Sequence, residues 1–124
     1  MTRYSLAVLA LVSLFAASSV AFQPEAPRAK KSIKEVMELA HKDGLLKKVV
    51  DKEASKEDKD QLLDLYIDML ETEPPMGDRS SWIMLAGRSV VAASKVAVGR
   101  EGAEEELKEA TNCAACHRVH KPAN

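Results

Sequence analysis

Aromatic residues and cysteines are scarce in this chain of 124 residues, which has two phenylalanines, two tyrosines, one tryptophan and two cysteines. Two cysteines are too few for a framework of several disulfides. The aromatic residues are few for a core of this size, since such side chains usually supply much of its buried area. An excess of either charge is also missing, because 18 basic residues face 19 acidic ones and leave a net charge of −1. Nucleic acid is therefore not an expected partner, since binding it requires a basic surface.

Long apolar runs are missing too, except for one at the amino end. Arg3 precedes an apolar run from Leu6 to Ala17, and the small residues Ser19-Val20-Ala21 follow it. This pattern predicts a signal peptide over residues 1–21, with an uncleaved membrane anchor as the alternative. Residues 22–31 contain two prolines and predict a flexible leader. We therefore expect a periplasmic or secreted protein with no membrane span after cleavage, and a folded domain over residues 32–124.

The two cysteines lie close together near the carboxyl end, in the run Cys113-Ala114-Ala115-Cys116-His117. C-x-x-C-H is the pattern of a covalent attachment site for c-type haem. On a helix, Cys113 and Cys116 share one face roughly 5 Å apart along the axis, so that both sulfurs reach the vinyl groups of one porphyrin. His117 follows directly and is placed to be the proximal ligand of the iron. The motif predicts haem c, with its iron, as the cofactor.

Three other interpretations of the cysteine pair remain open beside haem. A disulfide in a redox motif usually accompanies a βαβ pattern, which the sequence does not contain, and it would not need the histidine. A structural zinc site requires four ligands, and the only other histidines are His41 and His120. The third interpretation is a chance spacing of the chain's only two cysteines. Haem is the interpretation that uses all three residues of the motif.

The apolar spacing after the leader is helical and predicts four helices. The first begins after Ser32 and carries the stripe Ile33, Val36, Met37 and Ala40; Gly44 ends or kinks it, and the apolar pattern resumes to Val50. The second helix begins after Ser55 and ends at Pro74-Pro75. The third helix is capped by Ser80 or Ser81 and ends at Gly99. The fourth helix runs from the acidic residues after Glu101 to about Val119. Four helices with short connections predict an all-α fold, an antiparallel four-helix bundle with covalently attached haem. The haem motif would then lie in the last turns of the fourth helix.

A signal peptide, four helices and C-x-x-C-H on the last helix together resemble the class II c-type cytochromes, the cytochrome c-prime group. The resemblance implies that Cys113 and Cys116 hold the haem and that His117 binds the iron. It also implies that the other face of the iron meets the first helix, where Met37 is the candidate sixth ligand. His41, one turn later, is the alternative, and an apolar side chain that does not coordinate is the third arrangement in this class. Lys121 follows His117 by four residues, where the class often has a basic partner for a haem propionate.

The number of protein ligands on the iron decides between two functions. An iron with two protein ligands serves as a one-electron carrier, which would make the protein a non-enzymatic partner of another redox protein. An open sixth position would instead bind a small gas such as nitric oxide or carbon monoxide. Lys42, Lys47 and Lys48 are candidates for a docking patch toward an acidic redox partner. The resemblance also brings the expectation of a homodimer, since class II proteins are often dimers.

Overall fold

The computed structural model describes residues 29–123, which are helical with no strand among them. The predicted signal peptide and most of the predicted leader lie outside the described residues. The elements are α1 (Ile33–Val36), a π segment (Met37–Lys42), α2 (Leu45–Val50), α3 (Lys56–Glu71), α4 (Arg79–Ala97), α5 (Ala103–Ala110) and α6 (Cys113–His120). Within this part of the chain, no helix combines the length and the apolar character needed to cross a membrane. The prediction of an all-α fold is confirmed for these residues.

The first predicted helix begins as expected but changes its form after one turn. Ser32 and Glu35 form a reciprocal capping box, in which the Ser32 N–H donates to the Glu35 carboxylate at 2.8 Å. From Met37 the chain is a π-helix, and the Asp43 N–H donates to the carbonyl oxygen of Glu38, five residues back, at 2.9 Å. Gly44, with φ of +85°, ends this segment before α2 begins. The stretch predicted as one helix is therefore three short pieces in sequence.

The helix starts at α3 and α4 are set by local side-chain caps. Ser55 and Asp58 form a capping box at the start of α3, with the Ser55 N–H donating to Asp58 at 2.9 Å. The expected cap of α4, Ser80 or Ser81, is wrong, because Asp78 holds that position and accepts from the Ser81 N–H at 2.9 Å. A carboxylate makes the stronger, charge-assisted bond to a helix start. The Ser80 hydroxyl and the Ser81 N–H together lower the pKa of Asp78 to about 2.

The fourth predicted helix is wrong as a single element, because the chain leaves the helix between α5 and α6. The Thr111 hydroxyl donates to the carbonyl oxygen of Leu107 at 2.7 Å, while Asn112 adopts an extended backbone. The Asn112 side chain then accepts from the Ala115 N–H at 3.2 Å and starts a new helix. Threonine and asparagine compete with the helix for backbone groups, which is why the break falls here. The C-x-x-C-H motif accordingly opens a short helix of its own.

The core forms where α3 and α4 pack together, with α5 against α4 and with α1 and α2 against α3. α2 also contacts α5, and α6 lies against α4. The buried apolar side chains are Val36, Ala40, Val49, Leu62, Leu65, Tyr66, Met69, Trp82, Ala86, Ala92, Ala93, Val96, Ala103 and Leu107. Lys30, at the end of the predicted leader, is anchored to this body, since its N–H donates to Asp68 on α3 at 2.8 Å.

Replacing Leu107 with Ala should lower the free energy of unfolding by about 2–5 kcal/mol, because it leaves a cavity where α5 is buried. Leu107 is completely buried. The matched control is Val98→Ala, since Val98 is 73% exposed and its replacement should change stability by at most about 0.5 kcal/mol. Urea unfolding of both variants measures the difference. Equal effects of the two substitutions would show that α5 is not held by this contact.

Candidate functional site

A largely apolar cavity of about 910 Å³ lies between α6, the π segment and the facing parts of α3 and α4. Protein interiors are otherwise close-packed, with few voids larger than a water molecule. The volume lies within the range of cofactor and small-molecule sites, roughly 300–1,000 Å³. Trp82, Leu85 and Ala86 supply apolar walls from α4, and Met69 supplies one from α3. The cavity has the size and the lining of a site for a bulky, mostly apolar group.

The residues of the C-x-x-C-H motif line this cavity from α6. Cys113 is exposed and Cys116 is half-buried against the core, and both are free thiols. Burial raises the pKa of the Cys116 thiol, and the neighbouring Cys113 raises it further. His117 also lines the cavity and is otherwise exposed. Both sulfurs and the imidazole are thus available to one group bound between the helices.

Met37 and His41 line the same cavity from the π segment. Both are half-buried, and Met37 packs against the core. Burial lowers the pKa of His41, and the electrostatic effect of His117 lowers it further. His41 is therefore neutral at pH 7, which is the form of imidazole that binds metals. The structure brings the two cysteines of the motif, His117 and both candidate sixth ligands to one cavity.

The described residues contain no cluster of three or more His, Cys, Asp or Glu side chains that could hold a metal ion. A haem iron has a different requirement, because the porphyrin supplies four of its ligands and the protein supplies one or two. Among the side chains that line the cavity, the imidazoles of His117 and His41 and the thioether of Met37 are sufficient for that number. The donor set thus fits an iron that arrives within a porphyrin.

Tyr66 is a site residue that the sequence did not reveal, since its position predicted only a place on the buried face of α3. Its side chain is completely buried and lines the cavity, and its ring centroid lies 5.9 Å from that of His41. Its hydroxyl has no hydrogen-bond partner among the described residues. Burial strongly raises the pKa of this hydroxyl, and Cys113 adds to the effect. A neutral hydroxyl group without a partner among the described residues therefore belongs to a side chain that lines the cavity.

His120 is a second residue whose role has no signal in the local sequence. It is 2% exposed and its ring packs edge-on against Trp82, with centroids 5.2 Å apart. Nδ1 lies 2.8 Å from the carbonyl oxygen of Met76 and therefore donates to it, while Nε2 lies 2.9 Å from the hydroxyl of Ser81, within hydrogen-bond distance. Both ring nitrogens are thus used, and they tie the end of α6 to the loop before α4 and to α4 itself.

The three lysines predicted as a docking patch each lie beside a carboxylate. Lys42 is 3.6 Å from Glu38, and Lys48 is 2.6 Å from Asp58. Lys47 pairs with Asp51. These pairs balance the positive charge locally, so the three lysines do not form a strongly basic surface.

Other basic residues border the cavity itself. Lys34, Arg88 and Lys121 are exposed and line it, together with the acidic Glu109. Lys121 is the residue that the class II resemblance implies as a partner for a haem propionate. Basic side chains at an exposed edge and apolar side chains inside suit a group that is apolar with carboxylates at one end.

Comparison with known proteins adds no relative: no family model, no curated protein and no solved structure matches this chain.

Gly77→Ala should destabilise the protein more than Gly99→Ala. Both glycines have positive φ, +79° and +73°, which costs an alanine about 1–2 kcal/mol. At Gly77 an added Cβ would also lie 2.8 Å from Nδ1 of His120, whereas at Gly99 it would meet open space. The difference between the two urea midpoints therefore measures the contact that holds α6. Equal midpoints would show that the loop can move away from His120 without loss.

Proposed function

We propose that this chain is an exported cytochrome related to class II, in which haem c is bound through Cys113 and Cys116 and His117 is the proximal iron ligand. The observation that carries the proposal is that these three residues and both candidate sixth ligands line one apolar cavity of about 910 Å³. When bound, haem c supplies an iron that changes between two oxidation states. Cys113 and Cys116 form thioethers to it, and the cavity walls exclude water from its faces. The protein is then a one-electron carrier and not an enzyme.

The proposed sixth ligand is Met37. It lines the cavity from the π segment, on a separate element from His117, and its thioether sulfur would raise the reduction potential of a His-ligated iron. π-helical turns are rare in proteins, and those that do occur are frequently found at functional sites. This supports a functional role for the π segment. His41, in the same segment, is the alternative ligand. Ligation by either side chain leaves no position for a substrate.

The arrangement that we propose around the haem is an antiparallel four-helix bundle. α3 and α4 supply two of its helices, α1 with the π segment and α2 supplies the first, and α5 with α6 supplies the last. Lys121 would pair with a propionate at the exposed edge of the cavity. Attachment outside the cytoplasm agrees with the predicted signal peptide, and a redox partner protein would exchange the electron. A homodimer remains the expectation from the resemblance.

Absorption spectra of the purified protein, produced with export and haem-attachment machinery, test the proposal. We expect a haem that stays attached after denaturation and a low-spin spectrum, oxidised and reduced, that carbon monoxide does not change. The control is Cys113→Ser with Cys116→Ser, which should abolish covalent attachment. Protein without covalent haem would contradict the proposal. A high-spin spectrum that shifts under carbon monoxide would instead identify the alternative function, a gas-binding protein with an open distal site.

Replacing Met37 with Ala should convert a six-coordinate spectrum into a five-coordinate one, because alanine has no donor atom. The matched control is His41→Ala, four residues away in the same π segment, which should leave the spectrum six-coordinate. Absorption and resonance Raman spectra of the two oxidised variants report the coordination number. An unchanged spectrum of Met37→Ala together with a changed one for His41→Ala would assign the ligand to His41.

A further inference from the structure

The hydroxyl of Tyr66 is the buried polar group at the cavity that the proposed function leaves unused. The side chain is completely buried, its ring lies beside that of His41, and its oxygen has no partner among the described residues. Most buried polar atoms in proteins have a hydrogen-bond partner, and an unsatisfied one costs about 1–3 kcal/mol. Tyr66 lines the cavity, so its side chain borders the space in which a group would bind.

The chemistry of haem limits which atom that partner can be. A haem offers hydrogen-bond acceptors at its propionates and through the ligands on its iron, while its vinyl edge and ring faces are apolar. The basic residues that suit propionates, Lys34, Arg88 and Lys121, are exposed at the cavity edge, whereas Tyr66 is sequestered. Tyr66 and Cys113 line the same cavity, and Cys113 would lie at the vinyl edge of the proposed haem. The remaining partner is a ligand on the iron.

The position of Tyr66 indicates which face of the iron it serves. Its ring neighbours His41, which lies on the π segment, while His117 lies on α6. The π segment supplies both candidate sixth ligands, so the tyrosine lies beside the sixth position. Met69 and Leu85, which also line the cavity from α3 and α4, are apolar.

We propose that Tyr66 is a positioning residue for the sixth position, where its hydroxyl donates a hydrogen bond to the atom bound to the iron. This inference rests on the proposed haem site. With Met37 bound, the acceptor is its sulfur, a weak acceptor. With that ligand displaced, the acceptor is a small diatomic ligand, whose retention the hydrogen bond favours. Distal hydrogen-bond donors decide how a haem pocket treats such ligands.

Carbon monoxide bound to the reduced protein is the probe for this hydrogen bond. The unsubstituted protein, Met37→Ala and His41→Ala are tested in that order, and the first of them that binds the gas is used as the parent. Tyr66→Phe is then introduced into this parent. Removing the donor should raise the C–O stretching frequency in the infrared spectrum. It should also speed dissociation of the gas by about 2- to 10-fold, the size of one neutral hydrogen bond.

The control variant is Leu62→Met in the same parent. Leu62 lies one turn before Tyr66 on α3, is 1% exposed and does not line the cavity, and the swap conserves volume. It should leave both the stretching frequency and the dissociation rate unchanged. A shift in this variant equal to that of Tyr66→Phe would overturn the proposal, because both would then report a general disturbance of α3.

A second readout follows from the composition, since the only tyrosine besides Tyr66 is Tyr4 in the predicted signal peptide. The mature protein labelled with ¹³Cζ-tyrosine should give one resonance, which should move when the reduced parent binds carbon monoxide. An unmoved resonance and an unchanged C–O frequency in Tyr66→Phe would overturn the proposal, as would a parent series in which no member binds the gas. Failure of the proposed function has a different signature, namely no covalent haem in any variant.

Discussion

The placement of the C-x-x-C-H helix depends on the hydrogen bonds of one buried imidazole, that of His120. α6 is only eight residues long and mostly exposed, and a helix of this length is not stable without tertiary contacts. His120 supplies them, because its two nitrogens bind the Met76 carbonyl and the Ser81 hydroxyl. Gly77 belongs to the same contact, because a side chain at this position would occupy the space of the His120 ring. The orientation of the cysteines is therefore set by a loop and a helix start that lie far away in sequence.

The second constraint is that the chain does not fill its own interior. Five of the buried core residues are alanines, and α4 places Ala86, Ala92 and Ala93 on its inner side. Of these, Ala86 lines the cavity, where a larger side chain would occupy part of the free volume. Cavities reduce the stability of a protein in proportion to their volume. A protein with a cavity of this size is therefore stabilised when a bulky group fills it. The sequence thus supplies few aromatic side chains to fill the interior, and the structure correspondingly contains a cavity.

Features determined by neighbouring residues were predicted in part from the sequence, with the cap of α4 and the break at Asn112 as exceptions, whereas those determined by distant residues were not predicted. The helix starts after Ser32 and Ser55 are set by local contacts, and their prediction is confirmed. The stripe that carries Met37 and the motif that carries His117 led to residues that the structure brings together. The break at Asn112 had a signal in the Thr-Asn pair, but the apolar spacing continues across it and predicted one helix. The roles of His120 and Tyr66 depend on packing between separate helices, which no short pattern encodes.

The two sides of the cavity are held by different contacts, and in the proposed haem site this bears on the choice of the sixth ligand. α6 is fixed at its end by the two hydrogen bonds of His120, so His117 has a defined direction. The opposite side is a π segment between two short helices, ended by a glycine in the left-handed conformation. Met37 and His41 both reach the cavity from it, one with a flexible thioether and the other with a stiffer ring. An electron carrier and a gas-binding protein would then differ by a small adjustment of this segment, while the attachment side stays the same. Tyr66 lies beside His41 of this segment, and in the proposed site its hydroxyl would favour one iron ligand over another.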